Sequence, residues 1–164
     1  MKSSHLVERY SLGASLVETA VAGLSVEQWS ATPGPGKWNI TQVVVHLLDC
    51  DLVYADRMKR ILAEDAPTLL AFDQDLWAKR LNYADLPGDE AAGLFAAHRR
   101  WMTHLLRGRP DSDFARAGTH SESGRQTLAE VLAKVVSHLD HHLRFVYAKR
   151  ANLGVSILPK YANE

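Results

Sequence analysis

The chain has 164 residues, 46% of them hydrophobic and 23% charged, which suits a globular domain with a sizeable core rather than a disordered segment. Lysine plus arginine and aspartate plus glutamate both number 19, so no net field recruits nucleic acid or an anionic membrane. One cysteine, Cys50, excludes an internal disulfide framework and fits a reducing compartment. No apolar run nears the roughly 20 residues of a membrane span, and MKSSHLVERYSLG lacks the pattern of a secretory signal. The expectation is one cytoplasmic domain over 1–164.

Breaker residues cluster at TPGPGK (32–37), EDAPT (64–68), DLPGD (85–89) and 107–124. Between them apolar residues recur at three and four, the helical period, with no strand-like alternation. The spacing predicts a first helix from about Ser3 to Leu24, with Leu6, Tyr10, Ala14, Leu16, Val17 and Val21 inward. Asn39, followed three residues on by Gln42, is a capping-box start for the second helix. That helix turns Ile40, Val43, Leu47, Cys50, Tyr54, Met58 and Ile61 inward. A short helix is expected over Thr68–Leu81. A third long helix runs from about Asp89 to Leu106, burying Leu94, Phe95, Trp101, Met102 and Leu105. Thr127 and Glu130 form a second capping box, opening a fourth helix to about Arg150. Four amphipathic helices, one reached by a long connection, predict an all-α fold, a four-helix bundle with a long crossover.

The fourth helix carries KVVSHLDHHLRF, with three histidines in five residues. His138 and His142, four apart, share a face with Val131, Val135, Phe145 and Val146, whereas His141 aligns with Glu130, Lys134 and Ser137. An inward pair at this spacing can clamp one metal ion. His46, on the apolar stripe of the second helix, is the third candidate, and facing helices of a bundle are where such sites are built. A lone histidine on an apolar face is more often a satisfied core group. Three together, with few carboxylates to bond, are most simply satisfied by a metal. Cys50 reads as a small buried hydrophobe, His98 and His104 as edges of a polar face, and His5 as terminal. His120, in the loop before the fourth helix, is a candidate to border a pocket. The four tryptophans, Trp29, Trp38, Trp77 and Trp101, exceed what one small core needs and suggest a homodimer, although Trp101 itself reads as core.

The segment GPGKWNITQVVVHLLDCD resembles the second helix and its entry in the DinB-like family of four-helix metalloenzymes. GTHSESGRQTLAEVLAKVVSHLDHHLRF is similar to that family's last core helix with its H-x-x-x-H pair, and FDQDLWAKR to its connection. The resemblance spans nearly the whole chain. It implies a divalent ion, zinc or nickel, on His46, His138 and His142, with His141 in an adjacent position several relatives also fill with histidine. Two positions depart from the pattern: Asp51 stands where a glutamate is frequent, and Phe145 where a glutamine is.

Relatives in that superfamily include transferases that use bacillithiol, mycothiol or glutathione-like thiols, so the resemblance implies thiol S-transfer first. Metal-dependent hydrolysis comes second, with Asp51 as the carboxylate available as base. A metal-binding stress protein without turnover is the third reading. Trp38, Asp51, His120 and His141 are the residues expected to line the pocket, with a mostly polar rim for a small hydrophilic thiol or substrate. No nucleotide fingerprint, phosphate loop or Ser/His/Asp arrangement is present.

Overall fold

A computed structural model describes residues 3–163. Four long helices make the body: α1 (Ser3–Val21), α3 (Ile40–Ala63), α5 (Gly88–Leu106) and α7 (Leu128–Asn152). Both predicted capping boxes form. The side chains of Asn39 and Thr127 accept from the backbone N–H three residues on, and Gln42 and Glu130 reach back to the cap N–H. α1 stops at Val21 rather than Leu24, because Gly23 takes a positive φ of 71° that breaks the helix. A third capping box, Ser25 with Gln28, starts a helix too short for its periodicity to register, α2 (Val26–Ser30).

The expected helix over Thr68–Leu81 is shorter: only α4 (Gln74–Arg80) is helical, and its start gives way to a strand, β1 (Thr68–Leu69). The 107–124 segment holds α6 (Asp111–Ala115) and strand β2 (Ala117–His120), and β3 (Gly124–Thr127) follows. β1 pairs parallel with β2, which pairs antiparallel with β3. These strands show no hydrophobic alternation because they are two to four residues long. β2 and β3 pair as a local hairpin, and what holds β1 to β2 is backbone pairing across some fifty residues, with Thr119 N–H donating to the Pro67 carbonyl and Ser121 N–H to that of Leu69. The sheet ties the α3–α5 connection to the crossover leading into α7.

Both α1 and α3 pack along α5 and α7. α1 and α3, and likewise α5 and α7, therefore sit across the diagonals, while α3 has both α5 and α7 as neighbours. Ile40, Val43, Leu47, Met58 and Ile61 from α3 meet Val131, Val135, Leu139 and Val146 from α7 in the core. Among the described residues, no helix is long and apolar enough to cross a membrane.

The phase of α5 differs from the expectation. Phe95 and Met102 are buried, but Leu94 and Trp101 are 60% and 66% exposed, and Leu105 is half-buried. The reason is Arg99, which occupies an inward position at 1% exposure. A periodicity that counts only apolar residues places that side chain outside and rotates the helix to suit. Gly13 on α1 leaves the space: a Cβ there would fall 2.6 Å from Arg99 Nη1.

Candidate metal centre

His46 projects from α3, and His138 and His142 from α7, so two adjacent helices aim three rings at one point. His46 Nε2 lies 3.2 Å from His138 Nε2 and 3.1 Å from His142 Nε2, and the His138 and His142 ring centres are 4.4 Å apart. An imidazole nitrogen carries either one proton or one in-plane lone pair, so His46 Nε2 makes one good hydrogen bond, not two. A single cation among the lone pairs would satisfy all three rings. Two nitrogens, each about 2.0–2.1 Å from one tetrahedral ion, lie about 3.3–3.4 Å apart, and the two separations from His46 Nε2 are within a few tenths of an ångström of that. The donor set fits a divalent ion. His46, Cys50 and His138 likewise each offer a ligand atom within 4.8 Å of one another, a group that could hold a metal. Cys50 Sγ sits 3.5 Å from His46 Nε2.

Burial holds all three rings neutral. It lowers His46 to about 4, with the Asp75 carboxylate acting the other way. His138 falls to about 4 and His142 to about 3, through burial first and then the neighbouring histidines. Neutral imidazole is the form that ligates. The same burial, together with Asp49 and Asp51, pushes the Cys50 thiol up to about 12. His142 Nδ1 is buried with no hydrogen-bond partner. Packing orients that ring, edge-on to His138 and to His141. In chelator-treated protein, stability should fall as pH drops from about 6.5 towards 4. Over that window the unfolded histidines, with their ordinary value of about 6.5, take up protons that the folded rings refuse. Urea midpoints measured from pH 7.5 to 4.5 read this out. A flat profile would mean that the folded rings take up protons as readily as the unfolded ones.

Asp51 lies beside these rings but is otherwise engaged. Its Oδ1 accepts from Arg99 Nε at 2.7 Å, and its Oδ2 is 2.8 Å from His98 Nδ1 and accepts from Tyr10 Oη at 3.3 Å. Arg99 also donates to the carbonyls of Tyr10 and Val135 and lies 4.1 Å from the Tyr10 ring centre. This buried network joins α1, α3, α5 and α7, so Asp51 is committed to the bundle rather than free as a base. Sequence reading missed His98 and Arg99 in this role. The available signal was Asp51 itself, an acid one position past an inward cysteine, which needs a cationic partner if buried.

Beside the histidines opens a cavity of about 420 Å³, lined by His142, Trp38, Val43 and Phe145 among others. Phe145, read as part of the apolar stripe, is 43% exposed and forms a wall here. Trp38 also packs against His46, ring centres 5.1 Å apart.

The profile of the DinB superfamily matches residues 9–146. The chain belongs to that superfamily. Its relatives include a protein of Geobacillus thermodenitrificans, 33% identical over 84% of this chain and 78% of its own length, named "Putative metal-dependent hydrolase". A Bacillus licheniformis protein with the same designation is 31% identical over 85% of this chain and 80% of its own. YfiT from Bacillus subtilis, described as "a probable metal-dependent hydrolase with an unusual four-helix bundle topology", superposes with a TM-score of 0.85 at 23% identity. That match covers 94% of this chain and 89% of YfiT, and it establishes the shared bundle fold.

Within this DinB fold the remaining expected site residues are dispersed. His141 is exposed, as its polar stripe implied. It lines a separate hollow with Ser137, Arg144 and Tyr161. There Asp140 holds the C-terminal segment by accepting from Ala162 N and from the Asn163 backbone and side chain. His120 sits at the β2–β3 turn, where its Nδ1 accepts from the backbone N–H of Glu122 and Ser123. His104 is exposed. Of the pocket-lining candidates, Trp38 packs against His46 and borders the cavity beside His142, while His141 meets His142 only edge-on.

Proposed function

We propose that His46, His138 and His142 hold one divalent ion, zinc or nickel, and that the protein is a metal-dependent hydrolase of a small molecule bound in the adjoining cavity. The observation that carries this reading is the convergence of three neutral Nε2 atoms at ligand spacing. The designation of the relatives supports it. An ion held by three neutral ligands keeps its double charge and an open position, and so supplies a Lewis acid that activates a water or thiol as nucleophile. His142, at the edge of the cavity, faces the reactants. Trp38 and Phe145 exclude bulk water from one side, which strengthens the electrostatics inside. Hydrolysis splits an ester or amide bond, the acyl carbon gaining the water oxygen and the leaving group the proton.

A second reading, transfer of a low-molecular-weight thiol to an electrophile, has one observation in its favour. Asp51, the carboxylate expected to act as base, has both oxygens engaged, and a thiol ionises without a strong base where water does not. An all-histidine donor set tolerates sulfur as well as oxygen. The expected homodimer keeps one support, the exposed Leu94 and Trp101, seven residues apart on α5.

The test is turnover by protein purified without a metal-affinity tag, chelated and then reconstituted. Metal-dependent cleavage of p-nitrophenyl esters or anilides without added thiol is the expected result. Activity seen only with a small thiol and a chloroarene, sulfur bonding to the ring carbon and chloride leaving, would replace hydrolysis by transfer. Stoichiometric metal with neither activity would leave a binding protein.

A further inference from the structure

The cavity beside His142 is not evenly lined. Pro33, Trp38, Val43, Phe145 and Ala148 make apolar walls, while Lys37 and Lys149 bring two positive charges to it. Among the described residues neither lysine has an ion-pair partner. Lys37 also borders a neighbouring hollow that includes Asp75 and Lys79, whose charges offset one another. We propose that this cavity selects a small molecule with a compact apolar body and one anionic head group, seated between Lys37 and Lys149.

Helix geometry sets the length of that ligand. His142, Phe145 and Lys149 stand at i, i+3 and i+7 on one face of α7. At 1.5 Å per residue the Lys149 backbone lies about 10 Å along the axis from His142. Helical side chains lean towards the N-terminus, which directs the Lys149 side chain along the cavity that Phe145 also lines. A span of that order accommodates about one aromatic ring with a short arm, and Trp38 and Phe145, which line the cavity, supply faces on which such a ring stacks. Burial lowers Lys149 and the nearby Lys37 charge lowers it further, as expected of two ammonium groups sharing one space without a counter-ion. An anion there neutralises both. The cavity volume, about 420 Å³, lies within the range of small-ligand pockets.

The inference rests on the metal reading for the fate of the ligand, not for its seating, and the experiment separates the two. Phenylacetate and benzylphosphonate are titrated calorimetrically against their neutral counterpart, phenylacetamide, using both metal-loaded and chelator-treated protein. Both acids should bind about tenfold more tightly than the amide in each state, with the preference shrinking as salt rises. Lys37→Gln and Lys149→Gln should each erase most of that preference while leaving amide binding and the thermal midpoint unchanged. Preference for only one of the two acids would still place an anion between the lysines and would name its chemistry. Equal binding of acid and amide, or a preference that survives both substitutions, overturns the proposal. So does acid binding that vanishes with the metal, since the anion would then sit on the ion. Acid preference intact in a protein that takes up no metal would sink the hydrolase reading and leave this one standing.

Discussion

Replacing His46, His138 or His142 by alanine should strip the divalent ion from the purified protein, while His141→Ala should keep it at wild-type stoichiometry. The expectation follows from which nitrogens converge: three Nε2 atoms across α3 and α7, with His141 one residue away but turned to solvent. Loss of a direct ligand should weaken binding by more than the roughly 10- to 100-fold typical of a partner that only orients a ligand. Elemental analysis of dialysed, tag-free protein measures it. Cys50→Ser decides between the two overlapping ligand groups, because Cys50 shares His46 and His138 with the alternative. Retention of metal in Cys50→Ser with loss in His142→Ala supports the three histidines. The reverse pattern would move the ion towards the thiol and close the position that the proposed chemistry needs.

Arg99→Leu should destabilise the fold by about 3–5 kcal/mol, the usual cost of removing one partner of a buried ion pair. At about 2–4 °C per kcal/mol for a chain of this size, the melting temperature should drop by roughly 6–20 °C. The cost is large because Asp51 is left 1% exposed with its main charged partner gone, and two backbone carbonyls lose a donor. Adding Asp51→Asn to Arg99→Leu should recover part of the loss by removing the orphaned charge. His98→Gln, which keeps a donor towards Asp51, should cost far less. A melting temperature for Arg99→Leu within about 2 °C of the parent would show that water reaches Asp51 and that the network is not buried in solution.

The two experiments probe opposite ends of what the amino-acid sequence encodes. Helix starts, the direction in which each α7 histidine points and the apolar stripe of α3 depend on residues three and four apart. Such interactions are written locally, so Asn39 with Gln42, Thr127 with Glu130, and the opposed faces of His138 and His141 were all legible before any tertiary contact was known. The bundle followed from counting such segments. Tertiary structure alone decided the rest. The β1–β2 pairing joins backbones far apart in the chain, and strands this short leave no periodicity. Arg99 faces inward only because Asp51, on another helix, compensates its charge, so the phase of α5 and the exposure of Trp101 could not be read from α5 by itself. Asp51 kept the right residue type but not the expected freedom, because a carboxylate's role is set by which donors reach it. Lys37 and Lys149 meet only where the loop before α3 folds against the end of α7. Local free energy fixed which way the three histidines point. Long-range packing and charge compensation fixed what surrounds them, and through that what the site accepts.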